Sequence, residues 1–162
     1  MELVSVIMPY YKKKKYIELA VNSVIQQTYK NFELIIVHDD ENKEDLNFLK
    51  NLIKKDKRIK LYINKKNLGA GESRNKGIKL SQGSLIAFLD ADDLWTRNKL
   101  KKQIFFMKKN LVDISHTSYH IINSDNKIIG SRRAKDMNHK LLLNSCDIGV
   151  STVIIKKELI TN

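Results

Sequence analysis

A single cysteine, a single proline, a single tryptophan and six glycines are spread over 162 residues. Each scarcity excludes something. Cys146 has no second cysteine for an internal disulfide, so a reducing compartment is the natural setting. So little proline and glycine rules out collagen-like and Pro/Gly-rich disordered chains. No apolar run approaches the roughly 18 residues that a spanning helix needs. The opening "MELVSVIMPYY" has neither a basic leader nor a small-residue cleavage site, so no signal peptide is expected and a cytoplasmic location is. Acidic residues are also in deficit, with 30 Lys and Arg against 18 Asp and Glu, a formal charge of +12. A surface of that sign attracts nucleic acid, anionic lipid or phosphorylated small molecules. The runs "KKKK" at 12–15 and "KKDK" at 54–57 read as solvated helix faces. Without an RNA-binding signature, zinc-finger spacing or an aromatic-interleaved basic strip, no nucleic-acid partner is expected.

What is present is an ordinary globular composition, 42% apolar and 30% charged, at a length that buries one core. We expect a single domain over 1–162. "LVSVIM" (3–8) reads as a buried strand that Pro9 ends. Residues 15–28 place Ile17, Val21, Val24 and Ile25 at helical spacing. "FELIIVH" (32–38), "IKLYIN" (59–64) and "SLIAFL" (84–89) read as further strands, and 43–55, 70–80 and 96–109 as helices. Four buried strands, each followed by a helix, predict an α/β domain with a mostly parallel sheet and right-handed crossovers. Beyond residue 110 the rhythm changes. "VDISHTSYHIIN", "KIIGS" and "GVSTVIIKK", with a helix around 136–144, predict a smaller mixed or antiparallel part.

Ligands of open α/β sheets bind beyond the carboxyl ends of the strands. Those ends carry Pro9, Tyr10 and Tyr11; His38, Asp39 and Asp40; Asn64 and Asn67, ahead of Arg74; and Asp90, Asp92 and Asp93. Three carboxylates so close repel one another unless water or a cation separates them. Asp92 or Asp93 could cap the next helix, but one acid explains a cap and three do not. Taken alone, Asp39 and Asp40 read as turn residues. Tyr11 fits packing against the first helix equally well, and Arg74 a surface pair with Glu72 or Glu18. His116 and His120 read as structural, and Cys146 has no visible base partner. Gly69 and Gly71 match neither a P-loop nor the dinucleotide spacing.

Taken together, four segments resemble the nucleotide-sugar-dependent glycosyltransferases of family 2. "VSVIMPYY" is similar to the family's opening strand and Pro-(Ser/Thr)-(Tyr/Phe)-Asn turn, and "AVNSVIQQTYKNFELIIVHDD" to its helix, Gln-Thr and second strand ending in Asp. "NKKNLGAGESRNKGI" resembles the Asn-x-Gly…(Ala/Ser)-Arg-Asn-x-Gly-Ile segment, and "GSLIAFLDADDLW" the Leu-Asp-x-Asp-Asp signature. The resemblance implies a GT-A type, Rossmann-like three-layer fold with the donor nucleotide bound by about 1–110. It implies a divalent cation, Mn²⁺ or Mg²⁺, held by Asp90 and Asp92, with Asp92 in direct contact and Asp93 orienting the loop. It also places Pro9, Tyr11, Asp39, Arg74 and Ala91 with Asp90 and Asp92 around the donor, Asp39 taking the uracil. The implied reaction is inverting transfer from a UDP-sugar to a glycan or glycolipid in surface polysaccharide synthesis, with peripheral contact to an anionic inner membrane face.

Two departures from the family stand out. His38 replaces its usual first acid, and Asp40-Glu41 its Gly-Ser, so that Asp40 competes with Asp39 for the base. The family's catalytic Asp lies after the strand that "GVSTVIIKKELI" resembles, so a general base is expected beyond Asn162, and none of Asp113, Asp125, Asp136 or Asp147 is assigned. A truncated or degenerate transferase acting as a non-catalytic nucleotide-binding module is the alternative. A homodimer formed through an incomplete sheet half also stays open.

Overall fold

The computed structural model describes residues 2–144 and 148–160, which leaves Cys146 and Asp147 outside the described residues. A six-stranded sheet runs in the order β3-β2-β1-β4-β8-β5. Its strands are β1 (Val4–Tyr10), β2 (Phe32–His38), β3 (Ile59–Ile63), β4 (Leu85–Phe88), β5 (Ile114–Ser115) and β8 (Ile154–Lys156). The first four are mutually parallel, and β8 is antiparallel to both β4 and β5. A separate hairpin pairs β6 (Tyr119–Ile122) with β7 (Ile128–Arg132). The mixed C-terminal part expected from sequence is therefore present.

The helices are α1 (Lys14–Ile25), α2 (Lys43–Leu52), α3 (Gly69–Leu80), α4 (Lys99–Asn110) and α5 (His139–Asn144). Alternation along the buried strands sorts them into layers. Val4, Val6, Met8 and Tyr10 of β1, with Leu34 and Ile36 of β2, share one core with Ile17, Val21 and Val24 of α1, Leu49 of α2, and Leu100, Ile104 and Met107 of α4. Ile7 points the other way, onto α3. A Cβ on Gly77 would lie 2.5 Å from Ile7 Cγ2, so glycine is what lets α3 lie this close to β1. The chain steps from β1 to β3 in one direction, then crosses back over β1 to reach β4. Right-handed crossovers in opposite directions put α1 and α2 on one face and α3 on the other.

Pro9 does not end β1. The strand runs on to Tyr10, with Pro9 opposite Val37. The Ile7 carbonyl accepts from Leu89 on the β4 side, whereas the Tyr10 carbonyl accepts from Asp39 on the β2 side. The missing N–H of Pro9 therefore faces β4, whose pairing with β1 stops at Ile7. Nothing is lost there. The same divergence of β1 and β4 opens a crevice at the point where the strand order reverses.

α4 starts at Lys99, three residues later than expected from sequence, and neither Asp92 nor Asp93 caps it. Its cap comes from elsewhere. The buried Gln27 accepts from the Leu100 amide at 3.0 Å and donates to the Thr96 carbonyl at 2.8 Å, while Thr28 Oγ1 lies 2.9 Å from Asn98 Oδ1. The Gln-Thr pair thus fixes where the acidic loop becomes helix.

Candidate functional site

The site is assembled on the rim where β1, β2 and β4 end. Asp39, directly after β2, is 2% exposed. Its Oδ1 accepts from Asn64 Nδ2 at 2.7 Å and the Leu68 amide at 2.8 Å, and its Oδ2 from the Gly69 amide at 2.8 Å. Gly69 holds φ +86, a left-handed conformation that glycine adopts without steric cost. One carboxylate thereby supplies acceptors to free N–H groups at the start of α3, where a negative charge also meets the positive helix end. Asp39 is a turn residue and an anchor at once. One acceptor site on Oδ2 remains, since a carboxylate offers about four.

α3 then carries Arg74 back to the sheet. Its Nη2 donates to Asp90 Oδ1 at 2.6 Å, so the surface pairing with Glu72 or Glu18 is not formed. Glu18 instead pairs with Lys55. Arg74 Nε is buried with no partner among the described residues. Asp92 meets the Lys13 ammonium at 2.8 Å, a contact that raises the lysine pKa. Asp93 reaches the surface, yet crowding around its carboxyl pushes it above the usual carboxylate range. The Ser151 hydroxyl opposes that shift, and the charges of Asp90 and Asp92 add to it. Ala91 is buried.

The acidic loop is pinned from below. Asp90 N–H donates to Ser151 Oγ at 3.0 Å, Asp93 N–H to the Asp90 carbonyl at 3.0 Å, and Trp95 Nε1 to the Ser151 carbonyl at 2.8 Å. Lys99 Nζ lies 3.8 Å from the Trp95 ring centroid, with burial driving its pKa well down. Ser151 carries no motif signal and was not foreseen from sequence. Nor were Lys13 and Asn64 foreseen as partners of the acids.

Tyr11 is 45% exposed at the mouth, with Lys12 Nζ 5.0 Å from its ring. Lys12 sits at φ +51 where the resembled turn has Asn, a residue that tolerates this conformation better. Its amide donates to Asp40 Oδ2 at 3.2 Å, so Asp40 clasps the β1 loop while Asp39 anchors α3. Tyr10 is fully buried; its hydroxyl donates to Asp45 Oδ2 at 2.6 Å and its ring stacks on His38. His116 and His120 make local bonds to the Lys135 carbonyl and Ser131 Oγ, in keeping with a structural role.

Among the described residues no group of three or more His, Cys, Asp or Glu converges on a metal position. What the loop offers is two hard oxygen donors, Asp90 and Asp92, beside a third acid. Mg²⁺-type ions bind in this way when substrate phosphates complete the shell. A cation at Asp92 would take the place that the Lys13 ammonium holds. The residues fit such an ion. Next to them a cavity of about 280 Å³ is lined by Lys13, Tyr16, Leu19, Asp92, Leu94 and Ile122, among others.

The profile of glycosyl transferase family 2 matches residues 5–158. The chain belongs to glycosyltransferase family 2. UDP-Glc:alpha-D-GlcNAc-diphosphoundecaprenol beta-1,3-glucosyltransferase WfgD of Escherichia coli is 41% identical over 98% of this chain and 62% of its own length. The putative teichuronic acid biosynthesis glycosyltransferase TuaG of Bacillus subtilis is 35% identical over 96% of this family 2 chain and 63% of its own. Among solved structures, S. aureus TarS 1-349 in complex with UDP-GlcNAc superposes with a TM-score of 0.77 at 26% identity, covering 99% of this chain and 46% of that one. Mannosyltransferase PcManGT from Pyrobaculum calidifontis, in complex with GDP-Man and Mn²⁺, gives 0.73 at 15% identity over 97% and 45%, a likeness of fold alone. The glycosyltransferase chain thus spans about three fifths of the length of these curated relatives and has the GT-A type fold.

Proposed function

We propose that this family 2 chain binds a nucleotide-diphosphate sugar, UDP-linked, for metal-assisted inverting transfer to a glycan or glycolipid acceptor in surface polysaccharide synthesis. The observation that carries the reading is the convergence of Arg74 with Asp90, and of Lys13 with Asp92, beside the Asp39-anchored start of α3. WfgD, a UDP-Glc-dependent transferase acting on a diphosphoundecaprenol-linked sugar, and the UDP-GlcNAc complex of TarS support the same donor and acceptor classes.

Each residue has a task in this reading. Asp39 accepts from the nucleobase through its remaining lone pair, and the exposed Tyr11 ring lies against the base beside Pro9. Arg74 holds a phosphate oxygen. Asp92 and Asp90 hold the divalent cation, which when bound offsets charge on the departing diphosphate. The acceptor oxygen attacks the anomeric carbon, the bond to the diphosphate breaks, and the acceptor proton passes to a general base. That base is assigned to none of the described residues.

Calorimetry with UDP, with and without Mn²⁺, tests the proposal. UDP binding should strengthen about tenfold or more with the metal, roughly the effect of one added charge-assisted contact. Asp92→Asn should abolish that gain with the fold intact. Lys13→Met should raise Mn²⁺ affinity, because the ammonium no longer competes for Asp92. Equal UDP binding with and without metal ends the metal assignment, and no UDP binding at all ends the donor assignment.

A further inference from the structure

Six of the 25 lysines of this basic protein are paired with acids among the described residues. Lys13, Lys14, Lys55, Lys60, Lys108 and Lys156 all form ion pairs. What sets the outer face of α4 apart is a long stretch without acids beside exposed aromatic rings. From Leu94 to Val112 the sequence contains no Asp or Glu. Within that stretch Lys101, Lys102 and Lys109 are exposed and form no ion pair among the described residues. They surround two exposed aromatic rings, Phe105 at 68% and Phe106 at 52%. Helical spacing sets the pattern: Lys101, Phe105 and Lys109 follow one i, i+4 row, and Lys102 and Phe106 the next. The opposite face, Leu100, Ile104 and Met107, is already consumed by the core.

Leu111, at the end of the helix, is also exposed but lies on the side of Ile104 and Met107. It ends α4 at φ +53 and is 90% exposed, on the edge of a cavity of about 370 Å³ that Leu85, Ile104, Met107 and Val112 also line. Water gains nothing from such side chains; Glu2, which lines the same cavity, pairs with Lys108 and leaves Lys101, Lys102 and Lys109 without an acid partner among the described residues. An exposed apolar patch ringed by cations of one sign fits a surface that is apolar inside and anionic outside. We infer that the outer face of α4 docks the protein on an anionic lipid bilayer, with Phe105 and Phe106 entering the headgroup boundary and Lys101, Lys102 and Lys109 facing lipid phosphates. The inference rests on α4 alone and stands or falls apart from the sugar-transfer reading, which UDP calorimetry reports separately.

Co-sedimentation of the full chain with phosphatidylcholine vesicles, with and without phosphatidylglycerol, tests it. The protein should pellet with the anionic vesicles, far less with phosphatidylcholine alone, and be released by salt. Phe105→Ala/Phe106→Ala should weaken vesicle binding about tenfold or more while UDP affinity holds. Replacing Lys101, Lys102 and Lys109 by Gln should weaken it roughly a hundredfold, about fivefold for each lysine near an anionic surface. Binding unchanged in both variants, or no binding by the parent protein, overturns the inference. So does a dimer in sedimentation velocity that Phe105→Ala/Phe106→Ala dissociates, since a second copy would then cover the face.

Discussion

Arg74 Nη2 donates to Asp90 Oδ1 across 2.6 Å, and this bond joins helix α3 to the end of strand β4 over the crevice between β1 and β4. The two residues lie 16 positions apart. Because the pair is partly open to water, its worth to stability is small, about 1 kcal/mol or less. Its worth to a ligand is larger. A guanidinium already held at the rim meets a phosphate with little ordering cost. Arg74→Met should therefore lower stability in urea by about 1 kcal/mol or less, yet weaken UDP binding about tenfold or more. A loss in stability with no loss in affinity would make Arg74 a structural strut only.

Asp39 calls for a different experiment, because it is nearly fully buried and every bond it accepts within the protein comes from the start of α3 or from Asn64. Asp39→Asn keeps the shape but replaces one acceptor oxygen by a donor group. That group must face the Gly69 amide, or else the Asn64 and Leu68 donors. The cost is about 2 kcal/mol, the usual penalty for a buried donor left unpaired. Hydrogen exchange should locate it, with the Leu68 and Gly69 amides opening roughly thirtyfold more often while β1 and β2 keep their protection. Uniform protection across α3 would show that Asp39 does not anchor the helix.

Much of this arrangement is legible in the sequence, for identifiable reasons. The strands are buried on both faces and read as continuous apolar runs, so β1, β2 and β4 fall where the hydrophobicity places them. The acids at strand ends follow from topology alone. What cannot be read from local pattern is whatever another part of the chain decides. Pro9 stays within β1 because β4 has already diverged, a fact about pairing. α4 begins late because Gln27, more than 70 positions upstream, supplies its cap. Lys13 looks like one of four lysines in a row, and only the folded chain singles it out as the partner of Asp92. Ser151 is invisible until it is found under the acidic loop.

His38, where the resembled family has an acid, is a buried imidazole whose protonation should couple stability to pH. Its ring is 1% exposed, stacks on Tyr10 with centroids 5.7 Å apart, and has neither nitrogen hydrogen-bonded among the described residues. Burial lowers its pKa, against the pull of Asp40, Asp45 and Asp39, which favour the charged ring. Well above 6.5, the ordinary histidine value, folded and unfolded chains both hold it neutral, and it adds no pH dependence. As pH falls through that value the unfolded chain takes up a proton that the folded one refuses. Stability is then lost, by up to about 1.4 kcal/mol per pH unit, until the lower folded pKa is reached. His38→Phe keeps the stacking and removes both the proton and the two unpaired nitrogens. The variant should match or exceed the parent in stability at about pH 7.5. Between there and about pH 5.5 the parent should lose about 1 kcal/mol more than the variant in paired urea titrations, a comparison in which carboxylates common to both chains cancel. Parallel pH profiles for the two proteins would show that His38 titrates in the folded state as it does in the unfolded one.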